Sequence, residues 1–167
     1  KRIENVLLYI LIFMTILGII VLKPINNLDE LWNYNFARNV SNGLVPYKDF
    51  SMILMPMLPV ICGLILEITT NELIVIRIIA AFMCSGILYC SYKILNKLNI
   101  KKEISIIFVS FLGWLLKDYF CMDYNFATLL VTLIIIYIEI SSYKKNSNFF
   151  YLNFKTSLLI GVLAGLT

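Results

Sequence analysis

Residues 52–66, MILMPMLPVICGLIL, decide how this chain is arranged. The stretch is apolar enough to enter a membrane, but it has 15 residues and carries Pro56 and Pro59. At about 1.5 Å per helical residue it reaches about 22 Å, short of a hydrocarbon core of about 30 Å. Outward from it lie apolar blocks at 6–22, 73–95, 104–120, 125–140 and 156–167, separated by short polar stretches. Whether 52–66 crosses the membrane therefore sets the side on which every later loop emerges.

The charges give the test, because cytoplasmic loops of membrane proteins carry an excess of Lys and Arg. If every block spans, the densest basic cluster (Lys93, Lys97, Lys101 and Lys102) falls outside. If 52–66 returns to the side it came from, that cluster joins Lys1, Arg2, Lys144, Lys145 and Lys155 inside, which is 9 of the 14 cations. The outside then holds Asp29, Glu30, Asp49, Glu67, Glu72, Asp118 and Asp123, 7 of the 10 acids. The second arrangement separates the signs far better. It predicts an all-α, polytopic membrane protein with a cytoplasmic N-terminus and a large external loop over 23–72. That loop would contain juxtamembrane helices, and a short second external loop would run over about 117–124.

Composition supports the class. Of the 167 residues 60% are apolar and 14% charged, with a mean hydropathy of +0.87. Roughly 45–50% and 25% are usual for a soluble domain. Disorder, nucleic-acid binding and an ordinary soluble enzyme are excluded. His is absent, and Cys62, Cys84, Cys90 and Cys121 form no CxxC pair, which argues against a Cys/His zinc site. The block 6–22 is longer than a signal-peptide core and lacks a small-x-small cleavage site after it. The chain begins at Lys1 and stops inside an apolar run. It reads as one domain of a longer protein, ending partway into a fifth spanning helix.

The polar part of the first loop reads as a helix over 27–43. Leu28, Trp32, Phe36 and Val40 recur every four residues with Leu31 beside them, as in an interfacial amphipathic helix. Asn27 has the position of an N-cap, and Glu30 has the spacing of a capping-box partner. Gly43 suits the C-terminal stop. Asp29 and Glu30 fall in the first turn, beside the positive end of the helix dipole. Acids are common there without any chemical role. Arg77, near the start of an apolar block, is expected either to find a partner or to snorkel to the interface.

The order of features is specific: a first spanning helix, the pair Asp29-Glu30, an aromatic- and Asn-rich helix, Asn42-Gly43, then Pro46-Tyr47-Lys48-Asp49-Phe50 and a Pro-containing apolar segment. It resembles the first extracytoplasmic loop of the GT-C superfamily of polyprenyl-phosphate-sugar glycosyltransferases, in particular bacterial relatives of the protein O-mannosyltransferases. "NELIVIRII" at 71–79 is similar to the start of that family's next spanning helix, and Asp123 stands where the family has an acid in its second external loop. Where many relatives carry His-x-Pro-Pro, this chain has Met55-Pro56-Met57, so no role of that His carries over.

The resemblance implies a GT-C-like fold and transfer of a sugar, with inversion, from a polyprenyl-phosphate donor at the extracytoplasmic face. The acceptor would be a glycan, lipid or protein. It makes Asp29 the base or acceptor-orienting carboxylate, with Glu30 beside it. A departing lipid phosphate calls for cations, and Arg38, Lys48 and Arg77 are the candidates among those on the outer side; Tyr47, Asp49 and Asp123 complete the candidate set. Tyr47 and Asp49 also have a structural reading, with Pro46 fixing a turn and Asp49 capping the following helix. A divalent cation would use Asp29 and Asp123, and two acids are fewer than a hard cation takes. A lipid-linked-glycan ligase or polymerase, a transporter fragment and a non-enzymatic membrane protein are the competing readings.

Overall fold

The computed structural model describes residues 2–25, 27–53, 55–146 and 154–165, and among them it shows seven α-helices and no strand. These are α1 (Arg2–Leu22), α2 (Leu28–Ser41), α3 (Met57–Ile68), α4 (Leu73–Lys97), α5 (Lys102–Leu116), α6 (Tyr124–Asn146) and α7 (Phe154–Gly165). Three contain stretches long and apolar enough to cross a membrane: Ile3–Leu22, Leu73–Lys97 and Tyr124–Tyr143. At 20 residues or more, each rises about 30 Å or more, the thickness of a hydrocarbon core.

The short apolar segment that carries Pro56 and Pro59 forms a helix of only 12 residues, α3, about 18 Å long. Pro56 is its N-cap and Pro59 lies in its first turn, where a missing N–H leaves no bond unmade. It packs mainly on α2, and its buried residues are Pro59, Cys62, Gly63 and Leu66. A Cβ on Gly63 would lie 2.6 Å from Val40 Cβ and 2.8 Å from the Ala37 carbonyl, so the two helices cross backbone to backbone.

At the centre stands α4, with α1, α5 and α6 around it. Its buried positions include Ala80, Ala81, Cys84 and Ser85, small residues that admit close helix approach. The outward surfaces of α1 and α5 are apolar, with Leu7, Leu11, Met14, Ile107 and Phe111 exposed. Surfaces of this kind suit hydrocarbon rather than water.

The ends of the bundle differ in sign. At one end the start of α1 meets the start of α5 through Glu4 and Lys102, 2.7 Å apart, and α4 finishes nearby with Lys93 and Lys97. At the other end, Lys23 Nζ donates to the Asp118 carbonyl and Arg77 of α4 reaches Glu30 of α2. The 15-residue α5 thus joins the same two ends as α1. The helix expected over 104–120 stops at Leu116, where the Tyr119 N–H closes a turn on its carbonyl. The next three residues, Phe120, Cys121 and Met122, leave the helix and are buried.

Candidate functional site

The site is built where α2 begins. Asn27 is its N-cap: the side-chain oxygen accepts the Asp29 N–H at 2.8 Å. The expected reciprocal half of a capping box is not made, because the Glu30 carboxylate turns toward α4 instead. Arg77 Nε donates to Glu30 Oε1 at 2.8 Å, and Nη2 to Oε2 at 3.3 Å. Nη1 donates to the Val21 carbonyl at 3.2 Å. The side chains are 10% and 5% exposed. Arg77 therefore takes the partnered course rather than snorkelling. One forked, charge-assisted pair ties the end of α1, the first turn of α2 and the start of α4 together.

The buried face of α2 is Glu30, Asn33 and Ala37, whereas Leu28, Leu31 and Trp32 are exposed. The helix turns polar residues to the protein and much of its apolar stripe away from it. That is the expected orientation for a helix at a membrane surface. Asn33 Nδ2 donates to the Asp29 carbonyl at 2.8 Å and to the Met122 carbonyl at 3.2 Å. Asn27 Nδ2 donates to Cys121 Sγ at 3.1 Å. The loop between α5 and α6 is thereby pinned to α2.

Asp29 is half-buried and faces an open cleft of about 480 Å³ lined by Lys23, Asn27, Leu28, Asp29, Trp32 and Asp118. Small-molecule sites begin at about 300 Å³. The residues lining the cleft include two aspartates, a lysine and a tryptophan. Lys23 and Asp118 were not singled out in the sequence as site residues; each lies next to a helix end, and only the meeting of the two loops gives them a shared role.

The other candidates lie elsewhere. Arg38 is exposed in the last turn of α2, away from the Asp29 end. The 46–50 stretch closes on itself: the Tyr47 N–H bonds the Phe50 carbonyl at 2.9 Å, and Tyr47 has a left-handed φ of 65°. Asp49 Oδ2 accepts the Val45 N–H at 2.8 Å, so it caps its own loop and not α3 as the sequence suggested. Lys48 is exposed on this loop, which stacks on α2 through Phe50 and Phe36. Asp123 accepts the Asn125 N–H at 2.9 Å in the turn that opens α6. It is not among the residues lining the Asp29 cleft, and no group of three or more His, Cys, Asp or Glu suited to a metal occurs among the described residues.

Cys121 is held in its thiol form. Burial first, then the carboxylates of Asp123 and Glu30, push its thiol up to about 12 against the pull of Lys23.

Fold and site together define an all-helical protein with three helices able to cross a membrane and a polar cleft at one end of the bundle. Comparison with protein-family models, curated proteins and solved structures gives no match.

Proposed function

We propose that this chain forms the acid-bearing part of an integral-membrane glycosyltransferase that takes its sugar from a polyprenyl-phosphate donor at the extracytoplasmic face. The observation that carries the reading is the division of labour within the acidic pair. Glu30 is committed to Arg77, while Asp29, one residue away, faces a cleft that also holds Lys23. In this reading Asp29 takes the proton of the acceptor hydroxyl as that oxygen bonds to the anomeric carbon. The bond from that carbon to the phosphate oxygen breaks, with inversion, and the phosphate charge is met by Lys23. Lys23 replaces Arg77 in this role, since Arg77 is held by Glu30. Glu30 is a positioning residue that fixes the first turn of α2.

Sugar transfer by the full-length protein in membranes, assayed with a panel of polyprenyl-phosphate sugars, tests this. Asp29→Asn is expected to lose about 100-fold or more while the protein remains folded. Transfer at the wild-type rate would sink the proposal.

A further inference from the structure

The opposite end of the bundle carries a feature that sugar transfer does not use. Lys93, Lys97 and Lys102 converge on a cleft of about 540 Å³ with Asn5, Asn96 and Tyr92, and among the described residues Glu4 is the only acid lining it. Three cations and one acid leave this cleft a formal charge of +2. Lys93 and Lys97 are steadied by rings instead of carboxylates: each Nζ lies 5.9 Å from a ring centroid, of Tyr89 and Tyr137 respectively. Those ammonium groups keep their charge available to an anion.

Tyr92 also lines a second space. α1 and α5 both lie against α4, are bridged at their two ends by Glu4–Lys102 and Lys23–Asp118, and leave between them an apolar groove of about 340 Å³. Leu8 and Ile16 of α1, Leu88 of α4, and Val109 and Trp114 of α5 line it. From Leu8 to Ile19 the groove follows α1 for about 16 Å, roughly half a hydrocarbon core and so one leaflet deep. Leu8 is one helical turn from Glu4, so the groove begins about where hydrocarbon begins below a headgroup in the lysine cleft.

We infer that these two spaces are one binding site for an anionic glycerophospholipid: the phosphate sits among Lys93, Lys97 and Lys102, and one acyl chain passes Tyr92 into the α1–α4–α5 groove. Basic clefts between spanning helices bind such headgroups. A soluble anion would use the lysines without the groove, and a neutral lipid would use the groove without the lysines. The site is independent of the Asp29 chemistry.

The test titrates the full-length protein in mild detergent with dioleoyl-phosphatidylglycerol, and with dioleoyl-phosphatidylcholine as the zwitterionic control, followed by native mass spectrometry. At about fivefold per lysine, the Lys93→Ala/Lys97→Ala variant is expected to bind the anionic lipid about thirtyfold more weakly and the zwitterionic lipid unchanged. Lys93→Arg/Lys97→Arg should retain binding, which separates charge loss from misfolding. Thr15→Trp, which fills the groove from an exposed position, should weaken the diacyl lipid. Glycerophosphoglycerol, the same headgroup without chains, should bind far more weakly than the whole lipid. The proposal is overturned if the double alanine variant binds as wild type or loses both lipids equally. It is likewise overturned if Thr15→Trp has no effect, if the bare headgroup binds as well as the lipid, or if Lys117→Ala causes the larger loss, placing the phosphate at the other end.

Discussion

The two ends of the bundle each hold an ion pair, and the fold treats them oppositely. Arg77–Glu30 is 10% and 5% exposed, forked, and anchored further by the Val21 carbonyl. Lys102–Glu4 is 47% and 60% exposed, with its ammonium and carboxylate 2.7 Å apart. A buried charge cannot be left alone, so the first pair dictates where α2 sits. An exposed pair exchanges its partner for water at small cost, so the second bridges α1 and α5 while each is held by its own packing on α4. Equal-looking contacts therefore have unequal consequences, and the inequality is open to measurement.

The largest effect is expected at the buried pair. Glu30→Ala should destabilise the full-length protein by about 3–5 kcal/mol, because it strands the Arg77 guanidinium, and Glu30→Leu combined with Arg77→Met should recover most of that. Thermal unfolding in detergent would read both; a loss below about 1 kcal/mol for Glu30→Ala would erase the contrast between the ends. Next comes Gly63→Ala, which drives a methyl into Val40 and the Ala37 carbonyl. A cost of about 1–3 kcal/mol is expected, and an unchanged melting temperature would show that α2 and α3 can part freely. Asn27→Ala removes the cap on Asp29 and the bond to Cys121, for about 1 kcal/mol, while Asn27→Asp should keep the cap. Smallest is Glu4→Gln, expected to leave the melting temperature unmoved at any salt concentration; a clear drop would mean that the exposed pair matters as the buried one does.

Much of this arrangement was legible before any coordinates. The segment around Pro56 and Pro59 was read as a short apolar helix, and it forms the 12-residue α3. The stripe Leu28–Trp32–Phe36–Val40 announced α2, with Asn27 as its cap. Arg77 in an apolar block demanded a partner. What failed was choosing that partner, since 47 residues separate Arg77 from Glu30 and local spacing gave Glu30 a nearer use in a capping box. The loop between α5 and α6 is less polar than its charges suggest: Asp118 and Asp123 bracket it, yet Phe120, Cys121 and Met122 between them are buried. A three-residue run is too short to show a period, so its burial has no signature in sequence.

By itself the sequence determined the class: an all-helical chain of apolar blocks, three of them forming helices of spanning length, with one shorter apolar block and with cations and acids clustered in different segments. These follow from local quantities such as helix rise, hydropathy and charge placement. Only the tertiary structure decided which acid of the Asp29–Glu30 pair is bound and which faces a cleft. Adjacent helical residues point about 100° apart, and the side that meets Arg77 depends on how α2 lies across α1 and α4, a relation between distant segments that no local pattern encodes.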